Sequence, residues 1–347
     1  MKNKKIIIVS GSGGLIGSEA VEFFVKKNFY VIGLDNNYRK LFFGINGSVN
    51  KRVNYLKKNY ENNYLHVNCN INNKKIINNI FKKFNKKIFA VIHSAAQPSH
   101  DWAKQNPLLD FNVNAVGTLN LLEHFRIYSP KASFIYLSTN KVYGDNPNFL
   151  KIKEYKTRYD LDKKDKYYSG IDEKFNIDDT KHSLFGASKL SADITVQEYG
   201  KYFNLNTVCL RAGCLTGENH SGVELHGFLS YLIKCIKIDK EYKIFGYKGK
   251  QVRDNIHSSD LISAIWEFIK NPKKGETYNL GGGRENSCSI IEVINFFKLK
   301  DKKIKYKFYE ENRSGDHIWY ISNFEKFKKD YPNWKIKNNL EMIFDKI

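Results

Sequence analysis

Ile6-Ile7-Ile8-Val9-Ser10-Gly11-Ser12-Gly13-Gly14-Leu15-Ile16-Gly17 is the stretch on which the fold turns. An apolar run of strand length leads into glycines spaced G-x-x-G-x-x-G, and Leu15, Ile16, Ala20, Phe23 and Phe24 then recur at helical spacing. A tight turn, a close backbone approach to a ligand and close packing of helix on strand would each be obstructed by a side chain. A loop of this kind delivers phosphate oxygens to the positive end of the helix that follows. The glycines alone are a weak signal. The strand before them, the helix after them, and Asp35 at the end of a second strand, Tyr30-Val31-Ile32-Gly33-Leu34, make them a dinucleotide signal. A carboxylate at Asp35 accepts hydrogen bonds from the adenosine ribose and repels a 2′-phosphate, which favours NAD over NADP. Arg39 stands close enough to accommodate a phosphate instead, and the structural alternative for Asp35 is an ordinary turn residue.

Outward from this stretch, Leu65-His66-Val67, the run 88–93 and Phe134-Ile135-Tyr136-Leu137 read as three more strands separated by helix-length segments such as 108–125. Strand-helix alternation with strands apolar on both faces predicts an α/β fold, a Rossmann-type doubly wound parallel sheet. Residues 146–179 are polar, aromatic and charged without clear period, and a long loop of this kind is more often functional than decorative. Helical spacing returns over 183–202, a strand follows at 207–210, and glycine-rich turns at 213–217 and 281–283 begin a smaller, mixed C-terminal lobe. The expected division is an NAD-binding domain over 1–212 with a return segment at 252–272, and a substrate lobe over 213–347 interleaved with it.

Composition bounds the rest. The 347 residues are 41% hydrophobic, with 57 Lys+Arg against 36 Asp+Glu, a net charge of +21. No run approaches the roughly 18 apolar residues of a membrane span. The opening Lys2, Asn3, Lys4 and Lys5 lead to Ser10 and glycines and not to the apolar core of a signal peptide. Cys69, Cys209, Cys214, Cys235 and Cys288 are odd in number and scattered, which points to reduced thiols in a cytoplasm and to no metal site. The basic excess is spread along the chain among many Asn and Ile residues, so it reads as a solvated surface and not as a nucleic-acid face.

Several further segments resemble the extended short-chain dehydrogenase/reductase family of NAD-dependent sugar-nucleotide epimerases and dehydratases. They are His93-Ser94-Ala95-Ala96, Asn114-Ala115-Val116-Gly117-Thr118, Ser138-Thr139-Asn140-Lys141-Val142-Tyr143-Gly144, Arg253-Asp254-Asn255-Ile256-His257, Asn279-Leu280-Gly281-Gly282-Gly283 and Arg313-Ser314-Gly315-Asp316. The resemblance covers nearly the whole chain. It implies that Gly11, Gly14, Leu15, Ile16, Gly17, Asp35, Asn36, Arg39, Asn70, Ile71, Ala95, Ala96, Asn114 and Lys189 hold the cofactor, and that Thr139 bonds a sugar oxygen. For the nucleotide sugar it implies Gln97, Asn140, Cys214, His220, Gln251, Arg253, Arg313 and Asp316, the arginines suiting a diphosphate by their planar fork. It also implies a homodimer through the segments 108–125 and 183–202. His220 and His226, in the loop after Arg211, are as readily structural.

One position departs from the family. Its Tyr-x-x-x-Lys pair does acid-base work, and the matching segment here is Phe185-Gly186-Ala187-Ser188-Lys189. A phenyl ring has no ionisable proton, so Phe185 cannot serve as the base. Tyr143, Lys141, His220 and Cys214 are the alternatives; a protein that binds NAD or a sugar nucleotide without chemistry is another reading, and a tyrosine replaced deliberately to trap a complex is a third. Family 4,6-dehydratases carry an acidic pair directly after the threonine, where this chain has Asn140 and Lys141, so elimination of water lacks its groups. Inversion of a non-acidic sugar carbon needs transient oxidation instead, with a nicotinamide ending the turnover unchanged. Resemblance of 138–145 and 249–254 to epimerases acting at C2 of a CDP-6-deoxyhexose makes that the expected reaction, with a UDP-hexose 4-epimerase as the alternative.

Overall fold

The computed structural model describes residues 4–220, 222–224, 227–313 and 315–347; Lys2, Asn3, His226 and Ser314 lie outside them. Seven strands form the central sheet: β1 (Ile6–Ser10), β2 (Tyr30–Leu34), β3 (Tyr64–Val67), β4 (Ile88–His93), β5 (Ser133–Thr139), β6 (Asn206–Ala212) and β7 (Glu276–Leu280). They run in the order β7-β6-β5-β4-β1-β2-β3, and every neighbouring pair is parallel. This is the expected Rossmann-type sheet. Its strand order reverses between β1 and β4, which opens a crevice at the C-terminal edge.

The continuous apolar run of β1 follows from helices on both faces. Ile7 and Val9 join Ala20, Phe24, Leu261 and Phe268 in one core, while Ile6 and Ile8 join Phe81, Leu121, Phe125 and Ala192 in the other. Successive side chains of a strand face opposite ways, so four consecutive aliphatics feed two cores.

A smaller mixed sheet centres on the strand Val252–His257. It pairs antiparallel with Ser287–Ser289 and parallel with Trp319–Tyr320 and Cys214–Thr216. Tyr242–Phe245 and Tyr306–Tyr309 form a separate parallel pair over their own core. The chain passes between the large and the small sheet more than once. Val252–His257 lies in the small sheet, the helix Ser258–Lys270 packs on the helix Leu15–Lys26, and β7 closes the edge of the large sheet.

Two expectations change in detail. The segment 108–125 is helical in pieces, Pro107–Phe111 and Gly117–Tyr128 joined by a π-helical stretch, Asn112–Val116. The loop 146–179 has a short hairpin, Lys153–Glu154 with Tyr159–Asp160, and buries Leu161, Ile171 and Phe175 against Val252, Trp319 and Tyr320. It does not line the main cavity; Leu161, Ile171 and Phe175, with the partly buried Tyr167 and Tyr168, pack one of the cores beside the small sheet.

Candidate active site

A cavity of about 440 Å³ lies along the C-terminal edge of the large sheet, closed on its other side by Cys214, Leu215, Thr216 and Arg253 of the small sheet and by Arg313 and Asp316. Each sheet strand from β1 to β6 delivers residues to its wall at its C-terminal end, from Gly11 through Asp35, Asn70 and Ala95 to Thr139 and Ala212.

The glycines have separate tasks. Gly11 has φ +72°, and a Cβ there would stand 2.7 Å from the Ala95 nitrogen; at Gly17 it would stand 2.0 Å from the Gly11 carbonyl. At Gly14 the nearest atom would be 3.4 Å away, an ordinary contact, so the protein itself does not exclude a side chain there. Gly14 is the N-cap of the helix Leu15–Lys26, and no side chain caps it. The first N–H groups of the helix therefore face the cavity, a fit for the pyrophosphate of a dinucleotide. Asp35 takes the Gly13 N–H at 2.9 Å and the Asn37 N–H at 2.7 Å, which fixes its carboxylate and leaves lone pairs for a ribose. Asn36, Arg39, Asn70, Ile71, Ala95 and Ala96 line the same end. Tyr38, not foreseen from sequence, accepts a hydrogen bond from the Asn70 amide at 3.1 Å. Burial lowers the Arg39 pKa against the pull of Asp35.

Lys189 is 4% exposed, donates to the Leu137 carbonyl at 2.7 Å and stands over the Tyr136 ring. Burial pulls its pKa down to about 7, with Asp193 opposing. Thr139 ends β5 and accepts the Lys141 N–H at 3.2 Å, and Asn140 lies beside it on the cavity wall. Phe185 also lines the cavity, its ring edge-on to His100 at 4.9 Å between centroids. His100 went unnoticed in the sequence, where a lone histidine after Pro98 and Ser99 carries no pattern. Its Nδ1 is 2.8 Å from Ser183 Oγ, and burial together with Lys141 lowers its pKa to about 3.

On the side of the small lobe, Arg253 pairs with Asp316 and donates to the Val252 carbonyl at 2.7 Å. Burial works against the charge of Asp316, yet Arg253 and Lys141 hold its pKa below the usual carboxylate range. Arg313 lies on the wall that the main cavity shares with a smaller pocket. Cys214 faces the cavity as a thiol, its pKa pushed up by burial to about 12. His220 lines it as well, bonded through Nδ1 to Ser230 Oγ at 3.1 Å and lowered to about 3 by burial and Arg39.

Four candidates stand off the main cavity. Gln97 is fully buried: its amide donates to the Ser99 carbonyl and to Asp110, and its backbone N–H donates to Asn114. Asn114 returns a bond to the Gln97 carbonyl at 3.1 Å, so both act in a structural knot beneath the site. Tyr143 donates to Asn279 at 2.8 Å and accepts from Arg211 at 3.1 Å, deep in the protein. Gln251 lies in the smaller pocket, where its Nε2 donates to the Phe245 carbonyl at 3.2 Å and its buried Oε1 has no partner among the described residues.

Residues 7–281 match the NAD dependent epimerase/dehydratase family. Over 98% of both chains the protein is 30% identical to CDP-paratose 2-epimerase of Salmonella typhi. It is 27% identical to a putative UDP-glucose 4-epimerase of Methanocaldococcus jannaschii over 90% of this chain and 87% of that one. Among solved structures, UDP-glucose 4-epimerase from Bifidobacterium longum, in complex with NAD+ and UDP, superposes with a TM-score of 0.77 at 22% identity, covering 98% and 96% of the two chains.

Proposed function

We propose a reaction from one premise: the chain belongs to the NAD dependent epimerase/dehydratase family. The reaction is epimerisation of a nucleotide sugar, at C2 of a CDP-6-deoxyhexose. The observation that carries it is the pairing of an intact dinucleotide cradle with a cavity wall that lacks any carboxylate beside Thr139, where Asn140 and Lys141 stand. Epimerisation by transient oxidation needs no acid-carboxylate pair; elimination of water does.

The glycine loop and the helix Leu15–Lys26 would hold the pyrophosphate, Asp35 the adenosine ribose and Lys189 the nicotinamide ribose. NAD supplies a reversible hydride acceptor when bound. Arg313, with the paired Arg253, would take the diphosphate, and Thr139 a sugar hydroxyl. The sugar nucleotide would span the boundary between residues 1–212 and the small lobe. Gln251, in the smaller pocket, supports a cytosine base: its buried Oε1, without a partner among the described residues, would accept from the exocyclic amine of cytosine once the side chain turns to the base, and would not suit the carbonyl oxygen that uracil has in its place. A UDP-hexose 4-epimerase is the second reading, favoured by the likeness to the M. jannaschii protein, and Phe185 favours a protein that binds without turnover.

The exposed Leu108, Leu119, Ile127, Leu184, Ile194 and Tyr202 on the helices Pro107–Phe111, Gly117–Tyr128 and Ser183–Tyr202 support a homodimer. Five free cysteines support a reducing cytoplasm.

Incubation with CDP- and UDP-hexoses in heavy water tests the reaction. The expected result is interconversion of epimers with no solvent deuterium at the inverted carbon; deuterium there contradicts oxidation and hydride return.

A further inference from the structure

Phe185 leaves the sugar end of the cavity without an aromatic hydroxyl, and the groups around it differ in their fitness to replace one. Tyr143 has both hydrogen-bonding directions engaged by Asn279 and Arg211 and no face on the cavity. Cys214 stays protonated, and His220 lies toward Arg39 at the adenosine end. His100 touches Phe185, but a histidine neutral down to about 3 is too weak a base for an alcohol proton. Lys189 lines the cavity as well, but its amine lies over the Tyr136 ring, donates to Leu137 and faces Asp193 and Asp110 on the side of the large sheet, where the proposed function gives it to the nicotinamide ribose.

We infer that the Lys141 amine takes and returns the proton of the sugar hydroxyl that is oxidised and reduced during turnover. The inference rests on the epimerase reading. Lys141 lies on the short 3₁₀ turn Asn140–Tyr143 that follows β5, at one of the two carboxylate-free positions after Thr139, and its backbone is pinned by the Thr139 hydroxyl. The helix carrying Phe185 presses directly on this turn: a Cβ at Gly186 would stand 3.0 Å from the Lys141 carbonyl. Nζ donates to the Gly315 carbonyl at 2.7 Å, and Gly315 in turn abuts the His100 ring. Amine, imidazole and phenyl ring thus gather at one wall, and both Lys141 and Phe185 line the cavity.

The charge environment supports proton exchange there. Arg253 and Asp316 face the amine from the small lobe, Cys214 from the strand Cys214–Thr216, Asp145 from its own loop, and His100 and His317 complete the surround. Burial first, then Arg253, pulls the amine down to about 8, with Asp316 opposing. A neutral amine has two N–H groups and one lone pair; one N–H serves Gly315, and the lone pair remains for the substrate. In the forward half, the hydroxyl O–H breaks and an N–H forms on Lys141 while the carbon hydride leaves for bound NAD, giving a ketone and an ammonium. In the return half, hydride and proton come back, the hydride to the other face of the carbon and the proton from the ammonium to the oxygen. Atoms and electrons balance over the cycle.

Lys141→Met keeps most of the buried stem and removes the proton carrier. The NAD-loaded variant is expected to lose about 10²–10⁴-fold in kcat, to keep its NAD, and to lack the rise of kcat toward pH 8 that is expected of the wild type. Adding Phe185→Tyr to Lys141→Met is expected to restore turnover, which a purely structural role for Lys141 would not allow. In wild-type protein labelled with ε-15N lysine, the signal absent from Lys141→Met is expected to titrate near 8. Unchanged kcat in Lys141→Met, or a titration at the ordinary lysine value, overturns the inference and leaves the epimerase reading standing. Absence of wild-type turnover with every sugar nucleotide overturns the epimerase reading and the inference with it.

Discussion

The two ends of the cavity are built from different materials. At the cofactor end the groups that would meet a ligand are largely backbone: helix N–H groups, glycines that let chains approach, and one carboxylate fixed by two N–H bonds. At the sugar end they are charged side chains, Arg253, Asp316, Lys141 and Arg313, drawn from segments as far apart as residues 141 and 316. Backbone geometry constrains residue type strongly, so the first end tolerates little change. Side-chain electrostatics is adjustable, so the second can lose a tyrosine and be rebuilt around another group.

The sharpest way to break this contrast is within the glycine loop. Gly17→Ala places a Cβ 2.0 Å from a backbone oxygen and is expected to cost more than about 3 kcal/mol, seen as a collapse of the thermal midpoint without ligand. Gly14→Ala meets only an ordinary contact and is expected to leave the ligand-free midpoint within about 4 °C while weakening NAD binding by calorimetry. Equal loss of stability in both would refute the division of tasks.

At the sugar end, Arg313→Ala is expected to weaken CDP binding by about 10–100-fold, the scale of one or two charge-assisted hydrogen bonds, with little change in stability. Arg253→Ala is expected to weaken binding and also destabilise the protein, because Asp316 loses its partner in a buried setting. A smaller effect is expected for Gln251→Leu, roughly a tenfold loss of preference for CDP over UDP, read by competition binding. Equal affinities in the wild type would remove Gln251 from base recognition.

The remaining effect is one of pH. Burial lowers Lys189 to about 7 from an ordinary 10.5, so between those values the unfolded chain binds more protons than the folded one. Stability from this group therefore rises with pH across that window. Lys189→Met is expected to remove that component, giving a difference between variant and wild-type midpoints that shrinks as pH rises from 7 to 10; a constant difference would contradict the buried, lowered amine.

Legibility in the sequence follows the same divide. The strand 6–9, the glycines and Asp35 announced the large sheet and its dinucleotide end because turn geometry and two-sided burial restrict residue choice locally. Gln97 looked like a ligand contact because it follows a site-lining strand, yet a fully buried amide must find protein partners and finds them in Asp110 and Ser99. His100 was invisible because its significance comes from Ser183 and Phe185, more than eighty residues away. The loop 146–179 lacked period because it buries single anchors, Leu161, Ile171 and Phe175, and forms no long element.

The most direct test of hydride return at C2 uses a CDP-6-deoxyhexose deuterated at C2, incubated in ordinary water with the NAD-loaded protein. The expected product is the C2 epimer with deuterium retained at C2. Loss of the label to solvent, or inversion at C4 with C2 untouched, would contradict it.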